Sequence, residues 1–266
     1  MEAKITKEKL KKAAIIILPV VFALVASLAV ALMVGGGLKP AEEGTLPPET
    51  PPMSGESDVQ VVAPVESEPK ELFSLGLEYR SNGDGTSAVS GIGKCTDRCV
   101  IIPGISPEGE VVTAIGHEAF RGVTAIGEVV IPDSVMTIGD GAFRGSGIMS
   151  VNLGGSVISI GEKAFAECLS LTAINVSGAN AMYASEEGVL FDREMTSIIC
   201  YPSGRANRSY TIPISVERID AMAFSSCKNL REIAYEGTEK QWKNVYVCAE
   251  NGSLSSVYIS FAPDEK

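Results

Sequence analysis

Ile138-Gly139-Asp140-Gly141-Ala142-Phe143 is one copy of a pattern that recurs along the last two-thirds of this 266-residue chain. Further copies begin at Ile115, Ile160 and Ile219, and only the last lacks the glycine, which is replaced by Asp220. The first three copies are spaced 23 and 22 residues apart, and the fourth follows after 59. A fixed period in the twenties predicts a solenoid, in which each coil buries its apolar side only against its neighbours.

Each copy is preceded by a segment in which apolar residues alternate with others. Val129-x-Ile131-Pro132 in one copy aligns with Val151-x-Leu153-Gly154 in the next and with Tyr210-x-Ile212-Pro213 in a later one. The alternation predicts a strand with one buried face, and the Pro or Gly ends that strand and turns the chain. We expect the Ala-Phe pair to close the coil as one short helical turn, with Phe as the interior anchor.

The pattern therefore predicts a single β-rich solenoid. Its strands are expected near residues 128–131, 150–153, 173–176, 210–212 and 232–235. The residues expected inside are Val129, Ile131, Val151, Leu153, Ile174, Val176, Ile212, Ile233, Phe120, Phe143, Phe165 and Phe224. Solenoids commonly present extended binding surfaces, so this fold class favours a binding protein over an enzyme.

These repeats resemble the BspA-like leucine-rich-repeat surface proteins of host-associated bacteria, and the resemblance covers roughly residues 73–261. Beyond the repeats it is carried by Leu77-Glu78-Tyr79, Asn82 to Thr86, Val100-Ile101-Ile102-Pro103, Tyr183 to Asp192 with Tyr201-Pro202, and Gly237-Thr238-x-x-Gln241-Trp242. The resemblance implies a curved leucine-rich-repeat solenoid on the cell exterior, and some members of the family act as adhesins for host proteins. It brings no catalytic residues to this chain.

The resemblance and the composition together divide the chain into six segments. We expect a cytoplasmic tail at 1–12, a transmembrane signal-anchor helix at 13–34 and a disordered Pro/Glu-rich spacer at 35–72. The N-terminal cap of the solenoid, the leucine-rich repeats and the C-terminal cap are expected at 73–110, 111–234 and 235–262. Trp242, the only tryptophan, is expected to plug the C-terminal cap from a short capped helix that starts after Thr238.

The membrane anchor is predicted from 22 consecutive uncharged residues, Ala13 to Val34. A helix of that length spans the roughly 30 Å hydrocarbon core of a bilayer. Five lysines precede it and only Lys39 follows closely, so the positive-inside rule places the N-terminus in the cytoplasm and the repeats outside. The alternative is a secretory signal cleaved after Ala29-Val30-Ala31, which would release the solenoid as a secreted protein.

The formal net charge of −11 limits the classes of partner. Binding to phosphate requires clustered cations, so the acidic composition argues against nucleic acid and anionic lipid. The partner expected is an extracellular protein or glycan, and the membrane contact is assigned to residues 13–34 alone.

Six cysteines on the outside of a cell raise the question of disulfides. Cys95 and Cys99 lie in one loop of the N-terminal cap, where either a local disulfide or two free thiols is consistent with the spacing. Cys168 and Cys227 occupy equivalent repeat positions and are expected to be buried thiols. Alternation places Cys200 on the outward side of its strand. None of these positions has the companions that a zinc site requires.

An enzyme is not indicated. The single histidine, His117, stands at a variable repeat position that is occupied by Asp140 and Glu162 in later copies, so it is expected to face solvent. The sequence contains no nucleophile elbow, phosphate-binding loop or zinc-protease motif. We therefore assign no catalytic residue, no cofactor and no metal.

The strand alternation also predicts where a partner binds. If the apolar strand residues point inward, the intervening side chains point outward on one continuous face. That face consists of Glu128, Val130, Ser150, Asn152, Ala173, Asn175, Glu232 and Ala234. The sequence favours a cell-surface module that binds a protein or glycan, with adhesion to host or neighbouring cells as one such role. The alternative is a structural subunit that docks in cis on another envelope protein.

Overall fold

The computed structural model describes residues 73–264. The predicted cytoplasmic tail, transmembrane helix and spacer all fall within residues 1–72, which lie outside the described residues. Within 73–264, no helix is both long enough and apolar enough to cross a membrane. The segment boundaries and the membrane anchor therefore stay predictions.

The described chain is a β-solenoid with very little helix. Its strands are β1 Glu78–Ser81, β2 Thr86–Gly91, β3 Cys99–Ile101, β4 Val111–Ile115, β5 Glu128–Val130, β6 Thr137–Ile138, β7 Ser150–Leu153, β8 Ser159–Ile160, β9 Ala173–Val176, β10 Tyr183–Glu186, β11 Val189–Asp192, β12 Ser197–Cys200, β13 Ser209–Ile212, β14 Arg218–Ile219, β15 Glu232–Tyr235, β16 Tyr246–Val247 and β17 Tyr258–Phe261. One short helix, α1, spans Glu239–Trp242, and a 3-10 turn spans Gly252–Ser256.

The strands form four sheets. Sheet A has the order β1-β2-β4-β6-β8, and sheet B has the order β3-β5-β7-β9. Sheet C has the order β10-β11-β12-β14-β16, and sheet D has the order β13-β15-β17. A typical coil gives one strand to each of two sheets, and its strands pair in parallel with the equivalent strands of the next coil. Identical repeat positions are therefore stacked above one another.

The predicted strands and nearly all of the predicted core are confirmed. The first predicted strand ends one residue early, at Val130, and the fourth begins one residue early, at Ser209. The stacked residues Val129, Val151 and Ile174 are fully buried. Of the twelve residues expected inside, Val176 is the exception: it is half-buried and packs against the edge of the core.

The Ala-Phe segments are not helical turns, so that prediction is wrong. The backbone N–H of Phe120 donates to the carbonyl of Ala142 in the next coil at 2.7 Å, and Phe143 donates in the same way to Ala164 at 2.8 Å. Positive φ recurs near each copy, at Glu118, Gly141, Lys163 and Met222. A left-handed residue interrupts an α-helix and turns backbone groups toward the neighbouring coil instead.

The stacked coils bring the phenylalanine rings into a column. The ring centroids of Phe120 and Phe143 are 5.1 Å apart and those of Phe143 and Phe165 are 5.5 Å apart, with interplanar angles of 1° and 5°. Phe143 is completely buried between its two neighbours. The column belongs to the same buried cluster as the inward residues of the strands.

A long coil separates the third and fourth copies of the repeat. It contains the antiparallel strands β10, β11 and β12 and has no Ala-Phe pair. Tyr201 takes the place of the phenylalanine: its N–H donates to the carbonyl of Ala223 at 2.9 Å, and its ring lies 5.1 Å from that of Phe224 at an angle of 15°. Tyr201 and Phe224 thus form a second set of stacked rings, which belongs to a different core cluster from the column of Phe120, Phe143 and Phe165.

Asn180 holds the start of the long coil in place from within the protein. Its side chain is 1% exposed. The Nδ2 atom donates to the carbonyls of Gly154 and Val157 at 3.1 and 2.9 Å, and Oδ1 accepts from the N–H groups of Met182 and Tyr183 at 2.9 and 2.8 Å. One side chain thus satisfies four backbone groups, two through buried and two through partly buried hydrogen bonds.

Both ends of the described chain carry caps. Ser74 covers the free edge of β3, because its N–H donates to the carbonyl of Ile101 and its hydroxyl accepts from the N–H of Ile101. At the other end, Thr238 and Gln241 form a capping box around α1, as the sequence indicated. Trp242 lies half-buried, with its ring 5.2 Å from that of Tyr235, and packs against the C-terminal part of the core.

Replacing Phe143 by Ala is expected to lower the free energy of unfolding by about 3–5 kcal/mol, because it leaves a cavity in the middle of the ring column. Denaturant titration of the full-length protein measures the change. As a control, Leu169→Ala removes an apolar side chain that is 56% exposed and should change stability by less than about 0.5 kcal/mol. A loss below about 1 kcal/mol in Phe143→Ala would show that this ring is not a core anchor.

Replacing Asn180 by Ala is expected to lower the free energy of unfolding by about 2–4 kcal/mol, because two buried carbonyls and two partly buried N–H groups lose their partner at once. The matched control is Asn207→Ala, which truncates an exposed asparagine of the same long coil region and should leave the unfolding midpoint unchanged. Equal midpoints for the two variants would contradict the role assigned to Asn180.

Candidate binding surface

Sheet B carries most of the predicted binding surface. Its inward residues Val100, Val129, Val151 and Ile174 are fully buried, so the residues between them point outward. The pairing register arranges the outward residues in two columns, Cys99-Glu128-Ser150-Ala173 and Ile101-Val130-Asn152-Asn175. We call these eight residues the outer face of sheet B.

Sequence reasoning missed the first row of this face, Cys99 and Ile101 on β3. A signal for it existed, because Val100-Ile101-Ile102-Pro103 follows the same frame as Val129-x-Ile131-Pro132. The sequence instead favours placing that segment in the N-terminal cap, at 73–110. The structure pairs it in parallel with β5, so β3 is the first strand of the repeat sheet.

A line of side-chain hydrogen bonds crosses three coils of the outer face. The Nδ2 atom of Asn152 donates to Oε1 of Glu128 at 2.9 Å, and Nδ2 of Asn175 donates to Oδ1 of Asn152 at 2.9 Å. The spacing of strands in a sheet, about 4.8 Å, is what brings these side chains within reach of each other. The ladder holds two amides and a carboxylate in fixed orientations on the surface.

Glu128 is the only ionisable carboxylate on the outer face, and Cys99 lies beside it in register. Partial burial raises the pKa of the Cys99 thiol, and the neighbouring carboxylate of Glu128 raises it further. Cys99 is therefore a neutral thiol at physiological pH. The face combines one negative charge with hydrogen-bonding amides and small side chains, and it offers no strongly charged pocket.

A groove runs along the rim of sheet B, beside the outer face. It has a volume of about 520 Å³ and is lined by Arg98, Met149 and Leu169 among other residues. Met149 and Leu169 are large apolar side chains that are 45% and 56% exposed, and Arg98 donates a long hydrogen bond of 3.7 Å to the sulfur of Met149. The repeat pattern gave no indication of this groove, because its lining positions vary from coil to coil.

The predicted face is not continuous. Glu232 and Ala234 lie on β15 in sheet D, whereas the other six predicted residues lie in sheet B. Sheet B ends at β9 because the β10–β11 hairpin runs along it: the N–H of Ile174 donates to the carbonyl of Gly188 at 2.9 Å. Gly188 also packs on Ala173, where an added Cβ would lie 2.9 Å from the Ala173 side chain. The outer side of Ala173 is thus partly covered.

Cys95 and Cys99 are free thiols in this structure, one half-buried and the other exposed, and no disulfide joins them. Cys168 and Cys227 are buried as expected. Burial raises the pKa of Cys227 to about 12, so its thiol is unreactive. The outward placement of Cys200 is wrong: β12 alternates regularly, and Ile198 and Cys200 form its buried side while Ser197 and Ile199 are only half-buried.

His117 faces solvent, with 71% of its side chain exposed, as its variable repeat position indicated. Its Nε2 atom lies 4.0 Å from Oε2 of the adjacent Glu118. Among residues 73–264, no group of three or more His, Cys, Asp or Glu side chains is arranged to hold a metal ion.

Comparison with known protein families identifies the repeats. The model of the BspA type leucine rich repeat region matches residues 105–203 and 203–260 with six copies. The chain belongs to this family. Among curated proteins, none matches the sequence.

Several solved structures are similar to this chain. A leucine rich cell surface protein from Faecalibacterium prausnitzii A2-165 is 17% identical over 73% of this chain and 77% of its own, with a TM-score of 0.33. A leucine-rich repeat protein from Eubacterium ventriosum is 18% identical over 72% of each chain, with a TM-score of 0.38. The leucine-rich repeat protein of T. pallidum is 21% identical over 60% of this chain and 68% of its own, with a TM-score of 0.37.

Proposed function

We propose that this protein is a cell-surface binding module, anchored in the membrane by residues 13–34, that recognises an extracellular protein through the outer face of sheet B. The observation that carries the proposal is the ladder of Glu128, Asn152 and Asn175, which presents ordered polar groups across three coils. Membership of the BspA-type repeat family supports a binding role. The F. prausnitzii relative is described as a cell surface protein, which agrees with an extracellular location.

The ladder favours binding for an energetic reason. A side chain that is ordered on association costs roughly 0.5–1.5 kcal/mol in lost rotamer freedom. Asn152 and Asn175 are already held by hydrogen bonds in the free protein, so a smaller part of this cost remains to be met. The donors and acceptors of Asn152 and Asn175 that remain free are held in a row by the regular strands. They suit a partner that presents a complementary row of polar groups.

The groove at the rim of sheet B, the rim groove, supplies the large apolar side chains and the arginine that the outer face lacks. Protein interfaces draw most of their affinity from a few desolvated apolar or arginine anchors, with polar contacts around them. Met149 and Leu169 provide exposed apolar surface, and Arg98 lies beside them in the same groove. We propose that a partner contacts the outer face and the rim groove together, and that adhesion to host or neighbouring cells is the biological result.

We propose no catalytic activity for the chain. Its repeats belong to a family of structural units whose coils are stacked into a continuous surface, and the one histidine is solvent-exposed beside a glutamate. The functional residues are therefore those that contact a partner.

Introducing arginine at Asn152 and Asn175 together is expected to abolish binding of a partner captured by the full-length protein, because two bulky cations replace the ladder. The capture compares host extracellular matrix with the organism's own envelope fraction; an envelope partner would favour docking in cis. Both positions are on the surface, so the melting temperature should fall by no more than about 4 °C.

The matched control is Thr211→Arg with Ala234→Arg, which adds the same two charges to neighbouring strands of sheet D in register. Retained binding in this control assigns the site to sheet B. Loss of binding in the control alone would move the site to sheet D, and unaltered binding in both double variants would move it to the loops or caps.

Protease added to intact cells is expected to remove the solenoid and leave a membrane-bound stub of about four kilodaltons, plus any surviving spacer, because the N-terminal lysines place residues 1–12 in the cytoplasm. Immunoblotting of the membrane fraction for an N-terminal tag detects the stub. Recovery of a soluble protein that begins at Leu32 would establish the cleaved, secreted form instead.

A further inference from the structure

Two arginines lie next to each other on neighbouring coils of the C-terminal half. Arg208 immediately precedes β13 and Arg231 immediately precedes β15. The carbonyl of Arg208 accepts hydrogen bonds from the N–H groups of Arg231 and Glu232, at 2.7 and 3.0 Å, so the two residues occupy equivalent positions one coil apart. Both side chains are exposed.

The two arginines line a concavity of about 300 Å³, together with Ala206 and Asn229. The site is held in shape by contacts with the backbone. Nη1 of Arg231 donates to the carbonyls of Lys228 and Leu230, at 2.6 and 3.1 Å, and Nδ2 of Asn229 donates to the carbonyl of Arg205 at 2.9 Å. The remaining guanidinium N–H groups are available to a ligand.

This positive pair has no carboxylate partner in the part of the chain that the structure describes. The ion pairs of residues 73–264 engage Arg121, Arg144, Lys163, Arg205, Arg218 and Lys243, with His117 at the 4.0 Å limit. Glu232 follows Arg231 directly, but its carboxylate is not within 4.0 Å of either guanidinium. In a chain of net charge −11, two adjacent cations have been left uncompensated.

From this arrangement we infer a binding site for the carboxylate or sulfate groups of an acidic polysaccharide at Arg208 and Arg231. A guanidinium is planar and presents paired donors that match the oxygens of a carboxylate or a sulfate. An anion between the two arginines also relieves their mutual repulsion, which gives the site a preference for negative ligands over neutral ones.

The residues that line the concavity favour a polysaccharide ligand over a protein partner. It contains no aromatic side chain and no large aliphatic one, whereas protein interfaces depend on such anchors. An extended polar chain with repeated anionic groups needs no anchor, because it gains affinity from several charged contacts. Lys228, which is exposed just before Asn229, adds a third cation near the same site.

The overall acidity of the chain selects for a ligand of moderate charge density. Nucleic acid carries one charge per about 1.7 Å of duplex and meets strong long-range repulsion from a protein of net charge −11. A polysaccharide with one anionic group per sugar or per disaccharide meets less repulsion and still reaches both arginines. The site lies at the N-terminal ends of β13 and β15 in sheet D. It shares no residue with the outer face of sheet B.

The test uses full-length protein in a neutral detergent and four immobilised probes in 0.15 M NaCl: a sparsely substituted dextran sulfate, polygalacturonate, poly-glutamate and neutral dextran. The wild-type protein is expected to bind at least one acidic polysaccharide and to ignore neutral dextran. Arg208→Gln with Arg231→Gln should weaken that binding at least tenfold. The matched control, Arg80→Gln with Arg193→Gln, removes two exposed charges elsewhere and should bind within twofold of wild type.

The Arg231 side chain also donates to the backbone carbonyls of Lys228 and Leu230, so its loss can lower stability. If the double variant melts early, Arg208→Gln alone is the deciding variant, and it should weaken binding at least threefold. Preference for dextran sulfate or for polygalacturonate tells which anionic group the site takes. Absence of binding to both acidic polysaccharides, equal weakening in the control pair, or equally tight binding to poly-glutamate would overturn the assignment. Asn152→Arg with Asn175→Arg should retain polysaccharide binding, so this inference and the sheet B proposal fail separately.

Discussion

The structure depends on one constraint: each residue must lie above its equivalent in the neighbouring coil, so that the backbone hydrogen bonds between coils can form. The constraint acts on the strands of two sheets and on the phenylalanine turns, where Phe120 and Phe143 donate to the alanines of the following coils. It explains why the sequence repeats. A side chain that fits the interior of one coil fits the next only if size and direction are kept, and the parallel phenylalanine rings are the clearest case. The left-handed residues in these turns cost roughly 1 kcal/mol each when they are not glycine, and the bonds between coils hold them there.

Where the repeat is broken, side-chain amides replace the missing backbone partners. Asn180 does so at the start of the long coil, and Asn251 does so at the C-terminal cap. There Oδ1 of Asn251 accepts from the N–H of Phe224 at 2.8 Å, and Nδ2 donates to the carbonyls of Asp220 and Cys248. Both asparagines are buried, at 1% and 8% exposure. An amide carries a donor group and an acceptor on one short side chain, so it stands in for a peptide unit of an absent coil.

The same constraint sets how far the sequence could predict the structure. Interior positions such as Val129 and Phe143 were predictable because alternation and the repeat period specify them independently. The conformation of the Ala-Phe turn was not, because Glu118 and Lys163 take left-handed conformations that their residue types do not suggest. The direction of Cys200 was not predictable because Ile198 and Ile199 are both apolar, so alternation alone does not say which side of β12 is buried. The division into sheets B and D was not predictable either. It is caused by the β10–β11 hairpin, which packs against β9 and whose sequence does not follow the repeat.

The candidate binding surfaces lie at the positions that the stacking constraint leaves free. The interior must repeat, so differences between coils are confined to outward side chains and to the residues that flank the strands. Arg98, Met149, Arg208 and Arg231 all occupy the position just before a strand, and they give the two halves of the solenoid different rims. The N-terminal rim is apolar around Arg98, and the C-terminal rim is cationic and without apolar anchors. One backbone framework thus supports two chemically distinct surfaces, and a side chain at a rim position can differ between coils without disturbing the backbone hydrogen bonds that hold the coils together.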